Sequence, residues 1–329
     1  MTGLKNKAYQ PIYFLTGDEP YYIDIISNYI EHHALEESEK SFNQTIAYGI
    51  DIKVEQILEN AKRYPMMSEK QVVIIKEAQN IKDARNLNIL ESYVKNPLDS
   101  TILVICYKYK NIDLRTAFGK LINSSGYLFK SEKVKDYKLA EWIGQYISSK
   151  GYKVSPKNAA LLASHIGNDL SRVVNEIDKT FINLSPNQEL TGELIERNIG
   201  ISKDFNNFEL CSAISTKQHL KYNKIIDYFG KNEREHPMLL SVGIIYSFFV
   251  KVLMLHYTKD KSSGNLASVL RVNPYFVKDY QTAAQHYNAR KVLHIISLLR
   301  EYDAKSKGFG NTSVSNGELM KELAYKITH

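Results

Sequence analysis

The chain has 329 residues, of which 43% are apolar and 24% are charged, and its formal net charge is +7. This length predicts two or three domains, and the composition excludes collagen-like, low-complexity and disordered proteins. The sequence has no run of eighteen apolar residues and no apolar N-terminal stretch, which predicts a cytoplasmic chain without a membrane span. Two cysteines, Cys106 and Cys211, are too few for a disulfide framework or a zinc site. We therefore expect no metal and no cofactor.

The positive charge is concentrated in the last third of the chain. Basic and acidic side chains number 17 and 17 in residues 1–134, 9 and 8 in residues 135–203, and 17 and 11 in residues 204–329. A basic excess favours phosphate-rich partners, but these lysines and arginines form no continuous block. A lysine-rich solvated surface is the simpler interpretation, and contact with nucleic acid is the alternative.

Short apolar runs alternate with helical periodicity in the first 134 residues. The predicted strands are residues 12–15, 44–48, 72–75, 101–106 and 127–129. The predicted helices are residues 20–30, 52–61, 84–93 and 114–122. Strands rich in β-branched residues and separated by helices imply parallel pairing with helical crossovers. Residues 1–134 are therefore predicted to form an α/β domain with a parallel sheet.

The strand pattern ends near residue 135, and the remainder is predicted to be helical. Ser155–Pro156 and Asn168–Asp169 are typical helix N-termini within a small helical domain. From residue 204 onward all segments have helical periodicity. Residues 238–255 are apolar almost all round, which predicts the central helix of a bundle. Lys251 and the shortness of the run argue against a membrane span.

The first strand, glycine and helix stand where a P-loop would begin. That motif requires a glycine, four residues, then Gly-Lys-Ser/Thr, but counting from Gly17 places Tyr22, Ile23 and Asp24 at those three positions. Tyr22 would block close approach to a phosphate, Ile23 brings no charge, and Asp24 adds negative charge where a magnesium-binding hydroxyl belongs. Lys76 follows the third strand, where such domains place a magnesium-holding aspartate. A nucleotide-binding scaffold without hydrolysis and a different doubly wound fold both remain open.

Five stretches that follow one another in a particular order along the chain give a more specific signal. They are residues 12–21 (IYFLTGDEPY), 65–75 (PMMSEKQVVII), 113–115 (DLR), 167–172 (GNDLSR) and 272–278 (VNPYFVK). Each is weak alone. Together they resemble the delta subunit family of the bacterial DNA polymerase III clamp loader over nearly the whole chain.

The resemblance implies three domains and a role without catalysis. Residues 1–134 would form an AAA+-like α/β domain with a degenerate P-loop and a clamp-binding element. Residues 135–203 would form a helical lid domain, and residues 204–329 an all-α collar domain. Such a subunit binds and opens the sliding clamp (the beta subunit) so that it can be loaded onto primer–template DNA. It joins the motor and delta-prime subunits in a pentamer through the collar, hydrolyses no ATP itself and has no catalytic residues.

The resemblance also assigns candidate binding residues. Met66 and Met67 match the paired apolar positions of the family's clamp-binding element, and Pro65 places them on a turn. The family often has leucine and phenylalanine there, so the Met-Met pair is apolar like the family's pair but more flexible and polarizable. The alternative is that the methionines pack in the core before the third strand. The predicted rim contacts are Tyr64, Lys70 and Gln71.

Three rival functions remain to be weighed. An active AAA+ ATPase is disfavoured by the failed P-loop motif. A stand-alone single-stranded-DNA binding protein, using the basic C-terminal domain, would bind DNA strongly and in a salt-dependent way without any partner. A purely structural collar protein would bind other subunits but not the clamp.

Overall fold

The computed structural model describes residues 2–82, 84–182, 184–185, 187–202, 204–311 and 313–329. The chain forms two compact units, residues 1–134 and residues 135–329. Each unit has its own hydrophobic core and is described separately.

The first unit is built around a five-stranded parallel sheet. Its strands are β1 (Ile12–Gly17), β2 (Gln44–Tyr48), β3 (Gln71–Lys76), β4 (Thr101–Lys108) and β5 (Leu128–Ser131). Their order across the sheet is β2-β3-β4-β1-β5, and each neighbouring pair is parallel. All five predicted strands are present, so the prediction of a parallel α/β sheet is confirmed.

Helices cover both faces of this sheet. They are α1 (Thr2–Lys5), α2 (Pro20–His33), α3 (Glu37–Asn43), α4 (Val54–Lys62), α5 (Glu91–Lys95) and α6 (Ala117–Ser124). Val72 and Ile74 of β3 belong to the core layer that contains Ile23 of α2. Val73 and Ile75 belong to the opposite layer. A strand buried on both faces needs this continuous apolar run because successive side chains point to opposite sides.

Two helical predictions in this unit differ from the structure. Residues 84–93 were predicted to form one helix, but Ala84–Leu90 is a 3₁₀ segment and only then does α5 begin. The buried residues of this segment, Leu87 and Leu90, are three apart, which is the 3₁₀ period, and Tyr93 of α5 continues the same spacing. Helix α3 was not predicted because it is polar on nearly all sides; a capping box between Glu36 and Glu39 fixes its start.

The second unit is mainly helical. Its helices are α7 (Asp136–Ser149), α8 (Pro156–Ile166), α9 (Leu170–Phe181), α10 (Gly192–Ile199), α11 (Asn207–Ser215), α12 (His219–Lys231), α13 (Met238–Tyr257), α14 (Ser263–Leu270), α15 (Val277–His286), α16 (Ala289–Ser306) and α17 (Asn316–Thr328). The predicted N-cap residues Ser155 and Asp169 accept backbone hydrogen bonds at the starts of α8 and α9. Two short strands that the sequence did not indicate, β6 (Lys153–Val154) and β7 (Glu189–Leu190), pair in parallel. The division at residue 203 remains a prediction, and residue 203 itself lies outside the described residues.

Helix α13 crosses the core of the second unit but is not enclosed by it. Val242, Ile245, Phe249 and Val252 are buried in the main cluster of this unit. The opposite face of the helix is solvent-exposed, a feature that the prediction of a central bundle helix did not address. Within the described residues, α13 is the one helix whose length and composition would also allow a membrane crossing. In its most apolar stretch of 18 residues, 44% is buried inside the protein.

Candidate functional site

The segment between α4 and β3 forms an exposed turn. Helix α4 ends at Lys62, and the following residue, Arg63, is already extended, with φ −68° and ψ 151°. Pro65 disfavours helical backbone at the residue before it, so the helix does not continue. The turn then reverses the chain into β3, which begins at Gln71.

The turn presents its apolar side chains to solvent. Tyr64, Met66 and Met67 are 77%, 56% and 104% exposed, respectively. Met67 has φ +52°, in the left-handed region that few non-glycine residues adopt. The alternative that both methionines pack in the core therefore does not hold. Exposed apolar clusters of this kind are typical of binding surfaces.

A buried asparagine holds the turn in place. The Oδ1 atom of Asn43 accepts a hydrogen bond from the backbone N–H of Met66 at 2.7 Å, and its Nδ2 donates to the Met66 carbonyl at 2.9 Å. Asn43 is the last residue of α3 and is only 4% exposed. The two bonds tie the turn to the end of α3, directly before β2. The preceding residue, Phe42, is itself exposed.

Gln71 anchors the other side of the same segment. Its Nε2 donates to the Asn60 carbonyl at 3.2 Å, to the Thr101 hydroxyl at 2.9 Å, and to the carbonyl of Arg63. The side chain is buried, with 7% exposure. Gln71 therefore fixes the end of the turn, and in this structure it is not exposed as the predicted rim contact requires. The partner groups lie on a helix end and on β4, which no local sequence pattern reveals.

The other two predicted contact residues, Lys70 and Pro65, are less exposed than the methionines. Lys70 is half-buried, and its Nζ donates to the Asp99 carbonyl at 2.8 Å. Pro65 is also half-buried, as expected for a residue that shapes the turn. Tyr64, Met66 and Met67 are thus the side chains of this group that are available to a partner.

Where a P-loop would bind phosphate, the backbone and side-chain groups are already hydrogen-bonded within the protein. The backbone N–H of Gly17 donates to the Lys110 carbonyl at 3.1 Å, so it is not directed at a ligand. A Cβ at this residue would lie 2.0 Å from the Ser131 carbonyl oxygen, which explains the glycine. The Glu19 carboxylate caps α2 by accepting from Tyr21 N at 3.1 Å. It thereby takes the helix N-terminus where a phosphate would bind.

The other residues of the degenerate site have structural partners. Ile23 is fully buried between α2 and the sheet, and the Tyr22 ring lies 5.3 Å from that of Tyr21. Lys76, which was predicted to occupy a metal position, forms an ion pair with Glu31 of α2 at 2.7 Å.

The residue that contacts Asp24 is Lys108, at the end of β4. Its Nζ lies 2.7 Å from Asp24 Oδ1 and 3.1 Å from Glu77 Oε1. Burial alone would lower the pKa of Lys108, but hydrogen bonds to the two carboxylates outweigh burial and raise it. The sequence offered a signal for Lys108, since the carboxyl ends of parallel strands converge at one edge.

The described residues contain no cluster of histidine, cysteine and carboxylate side chains able to hold a metal. Both cysteines are buried, and burial raises the pKa of Cys106 and of Cys211 to about 12. Neither thiol is therefore activated as a nucleophile.

Comparison with known proteins supports one family. A sequence model of the family described as DNA polymerase III, delta subunit, matches residues 13–132, which include both regions described above. DNA polymerase III subunit delta of Bacillus subtilis (strain 168) is 23% identical over 330 residues, covering 98% of this chain and 93% of that protein. The solved structure of the Bacillus subtilis DNA clamp loader delta protein matches with a TM-score of 0.56 and 19% identity, covering 99% and 98% of the two chains. The resemblance indicated by the sequence motifs is thus confirmed: this chain is similar to the delta subunit of DNA polymerase III from Bacillus subtilis over almost its whole length.

Proposed function

We propose that this chain binds the sliding clamp, opens its ring and takes part in loading it onto primer–template DNA in the cytoplasm, without hydrolysing ATP itself. The observation that carries the proposal is the pair of exposed methionines on a turn that Asn43 and Gln71 hold in place. An exposed apolar pair on a fixed turn suits a protein partner better than a small substrate.

Met66 and Met67 are the proposed anchors on the clamp. Methionine is unbranched and polarizable, so it adapts to an irregular apolar groove. Full burial of one such side chain contributes about 1.5–3 kcal/mol. Two neighbouring anchors on a pre-formed turn meet the description of an interface hot spot. Tyr64 would lie at the rim.

Ring opening requires more than tight binding. A ligand shifts an equilibrium only by the difference between its affinities for the two states. We propose that α4, which leads into the turn at Pro65, contacts a clamp interface conformation found only in the distorted ring. The methionines would then supply affinity and the helix would supply the preference for the open form.

The proposed absence of ATP hydrolysis is supported by the closed nucleotide position. Gly17 N–H, the start of α2 and the Asp24 carboxylate are all engaged by groups of the protein. Nucleotide-dependent steps would then belong to the motor subunits.

The exposed face of α13 is proposed to join the chain to the motor and delta-prime subunits in a pentamer. Leu239, Tyr246, Met254 and Tyr257 are exposed and lie within one side of the helix, and we call them the α13 stripe. The stripe extends along about 27 Å of helix and contains no charged residue. A long apolar stripe in the proposed collar, residues 204–329, suits a lasting subunit contact.

Charged substitutions in the α13 stripe should separate assembly from clamp binding. We expect Tyr246→Glu with Met254→Glu to weaken assembly with the other loader subunits at least about tenfold, since buried unpaired charges are costly. Size-exclusion chromatography of the reconstituted complex measures this. Ser297→Glu, on the exposed side of α16, is the control. Normal assembly of the double variant would exclude the stripe as the contact.

The test of the proposed function is direct binding of the purified chain to its cognate clamp. Surface plasmon resonance should detect the clamp, whereas single-stranded DNA should bind weakly to the chain alone. Release of clamps from nicked circular DNA measures ring opening. Strong, salt-dependent DNA binding with no clamp binding, even with the other subunits present, would favour the DNA-binding rival. Assembly without clamp binding would favour a structural collar protein.

A further inference from the structure

The carboxyl ends of three neighbouring strands meet at one edge of the sheet. In the register, Gly17 of β1 lies beside Lys108 of β4, and β3 ends on the other side of β4. In open α/β sheets this edge is where ligands bind. Here the edge is filled by a network of the protein's own charges, centred on Lys108.

The Lys108 side chain is enclosed and makes two ion pairs. Only 14% of it is exposed, and its ammonium contacts Asp24 of α2 at 2.7 Å and Glu77, after β3, at 3.1 Å. The backbone N–H of the same residue donates to Gln79 Oε1 at 3.0 Å. Gln79 also donates through Nε2 to the second oxygen of Glu77. Lys108 therefore joins α2, β3 and β4.

One of the two carboxylates stands at a position that helps to hold a cation in nucleotide-binding folds, and the other lies next to a second such position. Asp24 takes the place of the P-loop hydroxyl residue that binds magnesium. Glu77 directly follows Lys76, which itself takes the place of the magnesium-holding aspartate, and the Glu77 carboxylate lies 3.1 Å from the Lys108 ammonium. The remaining groups do not fit a nucleotide, because Ile23 is buried, Glu19 caps the helix and Gly17 N–H is already bonded.

We propose that the Lys108 ammonium is a built-in replacement for a bound cation. It neutralises Asp24 and Glu77 and keeps α2 fastened to the strand ends with no nucleotide present. This inference does not depend on clamp binding. The role of Lys108 and the proposed clamp binding can each be wrong while the other is right.

The Glu77 carboxylate cannot easily move away if the ammonium is lost. Glu77 has φ +53° and ψ 42°, and its backbone is pressed against a neighbouring turn, where a Cβ at Gly49 would lie 2.3 Å from the Glu77 carbonyl oxygen. Gln79 holds its carboxylate from the other side. Without Lys108, two like charges would face each other in a partly enclosed site, and one of them would have to acquire a proton or a cation.

The test is thermal unfolding of the full chain carrying Lys108→Met, which keeps most of the apolar side chain and removes the charge. We expect the Tm to fall by about 3–6 °C in KCl. About 10 mM MgCl₂, compared with KCl of equal ionic strength, should restore at least about 2 °C because the metal binds only the folded site. The wild-type Tm should not respond to magnesium beyond the ionic-strength control.

Two further variants make the outcome decisive. Lys108→Arg keeps the charge and should stay within about 2 °C of wild type. Lys108→Met combined with Asp24→Asn and Glu77→Gln removes all three charges and should be more stable than Lys108→Met alone, with no magnesium response. A Tm of Lys108→Met equal to wild type would overturn the proposal, as would an equal magnesium response in the triple variant. If Lys108→Met does not fold, the triple variant is compared with the double variant Asp24→Asn, Glu77→Gln. A Tm of the triple variant several degrees below that of the double variant would contradict the proposal.

Discussion

Replacing Met66 and Met67 together by alanine should weaken clamp binding on the order of 100-fold. Each substitution removes most of an apolar side chain, and together they should cost about 3 kcal/mol of binding free energy. The loss should appear mainly as faster dissociation, because charge and shape at the rim are unchanged. Surface plasmon resonance against the immobilised clamp measures both rates.

The same substitutions should leave the folded chain intact. Met67 is fully exposed and Met66 is more than half exposed, so little packing is lost in the free protein. We expect a Tm within about 2 °C of wild type, as for most surface substitutions. Met254→Ala, which truncates an exposed methionine of α13, is the matched control and should bind the clamp normally. An unchanged clamp affinity in the double variant would move the binding site elsewhere on the chain.

Single substitutions can rank the two anchors. Met67 is more exposed than Met66, whose backbone is tied to Asn43. If Met67 inserts deepest, Met67→Ala should account for the larger share of the loss. Because adjacent anchors share one groove, the sum of the single effects need not equal the double effect.

The sheet was predictable because burial on both faces leaves a strong local pattern. The apolar run at residues 72–75 and its counterpart at residues 101–106 have no solvent face, and short β-branched runs between helices point to parallel strands. The N-caps Ser155 and Asp169 were predictable for a similar reason, since a cap is a local interaction. The exposed face of α13 was not predictable, because an apolar helix has the same sequence whether protein or solvent covers its second side.

The site was only half predictable. Sequence identified the segment of Pro65, Met66 and Met67 through resemblance, but periodicity does not distinguish an exposed methionine from a buried one. Asn43 lies 23 residues from Met66 in the chain. Its amide is recruited by tertiary packing, as is that of Gln71. Side chains that act through distant backbone groups leave no spacing pattern for a sequence to reveal.

Asn43→Ala should weaken clamp binding about tenfold, although the Asn43 hydrogen bonds go to the Met66 backbone and not to a methionine side chain. Without the amide, the backbone N–H and carbonyl of Met66 lose their only protein partners among the described residues and turn to water. The turn then samples several conformations, and the clamp must order it again, at a cost of about 1.4 kcal/mol. Hydrogen exchange of the Met66 amide should accelerate in the free protein, which measures the loosened turn directly.

Two comparisons show whether Asn43 acts through the turn. Asn43→Asp keeps an acceptor for the Met66 N–H but places a buried carboxylate oxygen against the Met66 carbonyl, so it should recover neither the affinity nor the exchange rate of the wild type. In a chain that already carries Met66→Ala and Met67→Ala, adding Asn43→Ala should cost almost nothing further, since the anchors that it positions are gone. A full tenfold loss in that background would show that Asn43 supports some other contact with the clamp. A small loss would establish that the affinity of the methionine pair depends on a turn that is ordered before the clamp arrives.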